Sequence, residues 1–283
     1  IFKLRKKQSI IKLNQWIISY LIINFIIPNP MAYAISPIEV DRSASVQEQA
    51  ALDQTKSGID IVNTTRPSQA GISKNTFKEY NVSNKGVILN NSLLEGRSQI
   101  GGNIYANPFY EGKTAELILF DVSGSNTSSL QGITEIFGKS ADFILANPNG
   151  ISINGGGFIN TPRVTLTTGT PSFNDSHYVD SITVDEGQIT IGELGLDASQ
   201  VDYMDIISRI TQINGALWGG KNLQIQSGQN KVNYENRTID SQLDPRNSNS
   251  IKPEWGIDAS ILGSITAGRI LLIGTEDGVG VKI

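Results

Sequence analysis

Between Ile136 and Val164 similar apolar residues recur at short, near-regular intervals: Ile136, Ile144, Ile151, Phe158 and Val164, in steps of 8, 7, 7 and 6 residues. Clusters of Gly, Asn, Pro or Ser separate these runs, which is the pattern of short strands joined by turns. Sandwiches built from hairpins space their turn signals more widely, about every 8–12 residues. The shorter step suits a solenoid whose coils each hold about three short strands, with successive coils stacked as parallel sheets. Parallel strands otherwise need long crossovers, commonly helical, and the chain has little helical pattern to supply them. The pattern indicates an all-β chain with a parallel β-helix as the leading architecture. It contains no strict repeat, so on this ground an all-β sandwich stays open.

The same texture extends in both directions. Apolar runs at Val87–Leu89, Gln99–Tyr105, Glu116–Val122, Thr134–Phe137 and Asp142–Leu145 precede Ile151. Ser181–Val184, Gln188–Ile191, Val201–Ile207, Thr211–Leu217, Leu223–Ile225 and Arg269–Ile273 follow Val164. Asp202–Ser208 reads alternatively as a helical turn. Ile35–Lys85 is polar and weakly patterned, with one candidate strand at Gly58–Asn63 and a docking segment at Phe77–Tyr80. Gln229–Glu254 is long and hydrophilic. A structureless loop of that length is uncommon, so a projecting hairpin is expected. The last residues, GVGVKI, lack the polar cap that ends a solenoid, and further repeats are expected beyond them.

The first 34 residues differ from the rest. Lys3, Arg5, Lys6, Lys7 and Lys12 lie there with no Asp or Glu, and they lead into the apolar run Trp16–Ile27. Pro28 and Pro30 follow, then Ala32-Tyr33-Ala34. A basic start, a short apolar stretch and a small-residue cleavage site make a secretory signal. Residues 1–34 are therefore read as a signal peptide for the Sec translocon, cleaved after Ala34, and 35–283 as the mature domain. The apolar run is shorter than the roughly 20 residues of a membrane span. The chain begins with Ile rather than Met, and is expected to be part of a longer protein.

Charge and residue chemistry narrow the function. The whole chain has net charge −4, and removing the five positive charges of the signal leaves −9. So acidic a domain does not suit nucleic acid, where affinity comes largely from neutralising phosphates. The chain has no Cys, hence no disulfide or thiolate chemistry. Its single His, His177, sits beside Asp175 and Ser176 in a polar turn; adjacency in sequence does not give triad geometry. One His without Cys leaves too few ligands for zinc. Gly155-Gly156-Gly157 invites a phosphate-loop reading, but such loops open a helix, whereas FINTPRVTLTT is strand-like. The glycines are better read as allowing left-handed corners or close coil packing. Asp175, Asp180 and Asp185-Glu186 fit solvated turns rather than a calcium site of six or more oxygens. No cofactor is expected.

One run carries more than its physics. GKSADFILANPNGISINGGGFINTPRVTLTTGTP, Gly138 to Pro171, closely resembles the signature of the filamentous haemagglutinin family. These are exoproteins of bacterial two-partner secretion, including contact-dependent growth inhibition proteins. SQIGGNIYANPFYEGKTAELILFDVSGSNTSSLQGITEIFG, INGALWGGKNLQIQSGQNKV and ILGSITAGRILLIGTEDGVGV resemble flanking segments, so the likeness spans about residues 35–283. It implies a right-handed parallel β-helix with an N-terminal cap and extra strands outside the coils. It also implies a partner, an Omp85-type outer-membrane transporter that engages the domain through its periplasmic domains. The chain would pass outward unfolded and fold at the surface of a Gram-negative-type bacterium, nucleating the region that follows. Host or neighbouring cells are further implied partners. Asn147, Pro148, Asn149, Gly150 and Ile151 match the most specific motif. Asn107-Pro108-Phe109-Tyr110 stands where the family often has Asn-Pro-Asn-Leu, so only Asn107 and Pro108 carry over. Ile153 and Gly156 stand where many members have a Cys pair, so packing must hold that turn. The leading expectation is a non-enzymatic secretion and targeting domain. The alternatives are a β-helical enzyme acting on polysaccharide and a self-contained surface adhesin.

Overall fold

The computed structural model describes residues 38–243, 252–259 and 264–283. The expected signal segment, with Ala32 and Ala34, lies outside the described residues. So does part of the Gln229–Glu254 stretch.

The chain winds as a right-handed parallel β-helix with three faces. One complete coil runs Ile151–Ile153 on the third face, Gly156–Ile159 on the second and Arg163–Thr167 on the first. The coil below supplies Ser128–Leu130, Ile133–Gly138 and Asp142–Ala146 in the same order, and every pairing between these two coils is parallel. Uniformly parallel register removes the sandwich alternative, whose sheets are built from antiparallel hairpins. Each coil provides its own crossover, so no helix is needed between parallel neighbours.

Stacking places like side chains over like. On the first face Ile118, Phe143, Val164, Met204 and Leu223 are successive register partners, and Phe120, Leu145, Leu166, Ile206 and Ile225 form a second ladder. Both ladders are buried in the coil interior. Near the N-terminal end the interior is aromatic. Phe77, Tyr80, Phe120, Phe143 and Phe158 make a chain of ring contacts with centroids 4.7 to 6.2 Å apart.

The regular steps seen in the sequence correspond to one strand each, with one exception in facing. Ile136, Ile151, Phe158 and Val164 point into the coil interior, whereas Ile144 points outward from the first face into a second cluster. It remains fully buried because an antiparallel sheet outside the coils covers it. That sheet is Thr170–Phe173, Val179–Val184, Asn230–Asn233 and Ile239–Gln242. Val179, Ile182, Val184, Val232 and Tyr234 pack onto Leu117, Leu119 and Ile144. The hydrophilic Gln229–Glu254 stretch supplies the expected hairpin, but instead of projecting it pairs with Val179–Val184 and lies on the first face.

Two further expectations are corrected. Asp202–Ser208 makes no helical turn; Tyr203–Ser208 is a first-face strand paired on both sides. Thr211–Leu217 is two strands, Ile210–Ile213 and Ala216–Trp218, broken at Asn214-Gly215 where the chain turns a corner. The described part of the weakly patterned Ile35–Lys85 stretch, residues 38–85, holds the expected N-terminal cap and the first coil. Ile38–Val40 and Ala51–Gln54 pair antiparallel with Ile72–Tyr80 and Asp60–Asn63. A cap of reversed strands occupies the sheet edges that would otherwise invite pairing. The pattern is faint because polar side chains are buried there, among them Thr64, Ser73 and Asn75.

Candidate recognition site

Asn147-Pro148-Asn149-Gly150 connects first-face strand Asp142–Ala146 to third-face strand Ile151–Ile153. The Gly150 N–H donates to the Asn147 carbonyl at 3.0 Å, closing a four-residue turn. Asn at the first position, Pro at the second and Gly at the fourth suit a type I turn. Asn149 has no positive φ, which excludes type II. Gly150 does take φ +110, and a Cβ there would come within 2.8 Å of the Gln188 carbonyl oxygen in the next coil. This position needs glycine both for its backbone angle and for the close approach of the neighbouring coil.

Asn147 is fully buried. Its Oδ1 accepts from the Asn149 N–H at 3.0 Å, and its Nδ2 donates to the Asn126 carbonyl and Ser128 Oγ, each at 2.9 Å. Its own N–H reaches the Thr167 carbonyl at 2.9 Å. One side chain thus shapes its own turn and fastens it to the coil below. Asn149 Nδ2 adds a bond to the Gly124 carbonyl at 2.7 Å, and Thr127 Oγ1 donates to the Asn149 carbonyl at 2.9 Å. Pro148 and Asn149 face solvent, and Ile151 enters the coil interior.

Asn107-Pro108-Phe109-Tyr110 repeats this arrangement. Asn107 is buried; its Oδ1 accepts from the Phe109 N–H at 2.9 Å, and the Tyr110 N–H reaches the Asn107 carbonyl at 3.2 Å. Its Nδ2 donates to the carbonyls of Asn90 at 2.7 Å and Thr64 at 2.9 Å. Its N–H reaches the Ser92 carbonyl at 2.8 Å. Pro108 and Phe109 are the exposed pair. The two turns are therefore equivalent in bonding although only Asn-Pro is common to their sequences. They stand at different corners of the coil and share no bond. Asn147 lies between the first and third faces, whereas Asn107 closes onto residues in or just after second-face strands.

Phe109-Tyr110 in place of Asn-Leu gives this second turn its own support. The Tyr110 hydroxyl lies 2.6 Å from Thr64 Oγ1, and burial pushes its pKa up to about 12. Thr64 and Asn90 were not legible as site residues, since neither sits in a local motif; Thr64 is brought in by coil stacking and Asn90 by the path of the same coil. Beside Pro108 runs a groove of about 1090 Å³ lined in part by Asn63, Asn90, Arg97, Asn103 and Tyr105.

At the positions of the family's Cys pair, a Cβ on Gly156 would lie 2.8 Å from Ile153 Cγ2. Direct packing of Ile153 against bare backbone holds that corner, and Gly155 takes the left-handed angle there, φ +94. His177 lies exposed at φ +63 in the turn between two strands of the outer sheet. Among the described residues no group of three or more His, Cys, Asp or Glu side chains is placed to hold a metal ion.

A second polar cluster, also unforeseen, ties the outer sheet to the first face. Buried Asp205 receives Arg163 Nε at 2.9 Å on one oxygen and Arg237 Nε at 2.7 Å on the other. Arg163 stacks over the Tyr234 ring at 3.9 Å, and Arg237 stands over Tyr203 at 5.0 Å. Asp142, nearby, has its pKa pushed up to about 6 by burial, with Arg163 opposing and Asp205 adding to the rise.

Comparison with known proteins agrees with this geometry. The family model of the TPS secretion domain matches residues 37–283. The tRNA nuclease CdiA of Escherichia coli (strain STEC_O31) is 40% identical over 269 residues, covering 94% of this chain and 8% of that protein. The 16S rRNA endonuclease CdiA of Enterobacter cloacae subsp. cloacae is 38% identical over 279 residues, covering 98% and 8%. The chain thus spans 8% of the length of these two relatives. The crystal structure of a filamentous hemagglutinin secretion domain superposes with a TM-score of 0.77 at 31% identity, covering 86% of this chain and 80% of that one. A three-faced β-helix with capped N-terminus, outer sheet and paired Asn-Pro turns, matched by one model across its whole described length, belongs to the TPS secretion domain family.

Proposed function

We propose that this domain is the export address of a large exoprotein, read by a cognate outer-membrane transporter of the Omp85 type through that partner's periplasmic domains. A signal peptide over residues 1–34, cleaved after Ala34, would bring the chain to the periplasm through the Sec translocon. Residues 35–283 would cross the outer membrane unfolded and form the β-helix at the surface, where later coils add to it. Nuclease or growth-inhibition activity, as in the names of the CdiA relatives, would belong to regions beyond this domain. Contact with host or neighbouring cells would belong there too.

The observation that carries this reading is the division of labour in the two turns of a TPS secretion domain. Asn147 and Asn107 are 0% and 3% exposed, while Pro148, Asn149, Pro108 and Phe109 reach solvent. The buried asparagines hold the turns and the exposed pairs offer the contact. Pro fixes φ, so the exposed pair is presented in one conformation. The groove beside Pro108 extends the surface available to a partner.

Secretion in the presence of the transporter, read beside thermal unfolding of the purified domain, tests it. Asn147→Ala should lose about 1–3 kcal/mol of stability, since buried carbonyl and amide groups are left without partners. Exchanging Pro148 and Asn149 together for Ala should cost about 1 kcal/mol or less and still reduce secretion. Normal secretion of that double variant would remove the contact role, and secretion that persists without the transporter would remove the reading itself.

A further inference from the structure

We propose that Asn149-Gly150 is a deamidation site that is open while the chain is unfolded and closed by folding of the β-helix. The chemistry is intrinsic to Asn followed by Gly. With no Cβ on Gly150, its backbone nitrogen can approach Asn149 Cγ. A bond forms from that nitrogen to Cγ, and the Cγ–Nδ2 bond breaks. Ammonia leaves, carrying the proton given up by the Gly150 N–H, and a five-membered succinimide remains. Water then opens the ring at one carbonyl or the other, giving aspartate or isoaspartate. Water is the only other reactant.

The folded chain blocks each part of this step. The attacking nitrogen is committed, because the Gly150 N–H donates to the Asn147 carbonyl at 3.0 Å and Gly150 is buried. The leaving group is committed too: Asn149 Nδ2 donates to the Gly124 carbonyl at 2.7 Å and lies 3.3 Å from Asn147 Oδ1. Asn149 is exposed, so water reaches it; hydrogen bonds, not burial of the asparagine, provide the protection. A second pair in the same run is shut differently. The Gly155 N–H donates to the Gly195 carbonyl at 2.9 Å, and Asn154 Oδ1 accepts from the Leu194 N–H at 2.8 Å. Asn149 is thus shielded by its own turn and the preceding coil, whereas Asn154 is shielded by the following one.

The isoaspartate product cannot rebuild the turn. Isoaspartate inserts a methylene into the main chain between two residues that must close a four-residue turn. The Nδ2 donor to Gly124 is lost in either product. If the turn is the element read by the transporter, a chain kept unfolded before export loses its address with time. That consequence rests on the function proposed above; the chemistry does not.

The whole chain is incubated in mildly alkaline buffer with and without urea, and peptides spanning 147–155 are followed by mass spectrometry with isoaspartate quantified. Conversion at Asn149 should be at least about tenfold slower without urea, because reaction then requires local opening of the turn. Equal rates in the two conditions, or faster conversion in the folded protein, would overturn the proposal. Chains aged in urea are then diluted out of it and mixed with the purified periplasmic domains of the transporter. Conversion as stated with undiminished binding would uphold the chemistry and count against the recognition role of the turn.

Discussion

Asn147 and Asp142, five residues apart, show how burial turns a polar side chain to different ends. Asn147 is neutral and meets its polar surroundings with hydrogen bonds to two coils, so its burial stabilises. Asp142 is partly buried as a carboxylate, and desolvation raises its pKa from 3.8 to about 6. The sign follows from linkage. A carboxyl whose folded pKa lies above its unfolded value holds its proton more tightly when folded. Its contribution is most favourable below about pH 3.8 and is lost as pH rises through about 6. Asp142→Asn should therefore raise stability at neutral pH by about 1–2 kcal/mol and leave it little changed near pH 4. Denaturant melts across that pH range check this; a variant no more stable at neutral pH would show that Arg163 compensates the carboxylate fully.

At the scale of elements, the outer antiparallel sheet is held by two means. Apolar residues of Val179–Val184 and Asn230–Asn233 cover Leu119 and Ile144, and Asp205 draws in a guanidinium from each side. Arg237 takes the left-handed φ of +59, and its carbonyl accepts from both Gln224 and Gln226 at 2.7 and 2.8 Å. Asp205→Ala leaves two arginines without their carboxylate. The loss should be about 3–5 kcal/mol, the usual result of removing one partner from a buried ion pair. Hydrogen exchange should rise first in the Asn230–Gln242 hairpin, with the coil interior still protected. Simultaneous loss of protection everywhere would mean that the outer sheet is part of the same cooperative unit as the coils.

The whole molecule is a stack in which each coil touches chiefly its neighbours, so a local defect should stay local. Ile225 is a fully buried member of the first-face ladder between Ile206 and Leu272. Ile225→Ala should cost about 2–5 kcal/mol. Residue-resolved hydrogen exchange should place the weakening in the coils beside it, sparing the aromatic interior around Phe120 and Phe143. Uniform weakening across the chain would indicate all-or-none unfolding instead.

The sequence by itself determined the strand-and-corner texture, the step of one strand every six to eight residues, and the Asn-Pro turns as punctuation. These are local properties: β-branched and apolar runs set strands, while Asn, Pro and Gly fix backbone angles. The same local reading placed the glycines of 155–157 at a corner and kept them from a phosphate loop. Tertiary structure alone decided what each side chain faces. Ile144 fits the interior rhythm, yet it points outward, because a sheet from residues 170–242 covers it. Asn107 and Asn147 look like exposed turn residues, yet both are buried staples, because their bonding partners at Thr64, Asn126 and Ser128 lie one coil away and Asn90 lies seventeen residues back on the preceding face. Asp205 meets Arg163 and Arg237 across coils and the outer sheet. Local preference sets angles within a few residues, whereas facing and partnership are set by which coil lands on which, and stacking is what brings those distant residues together.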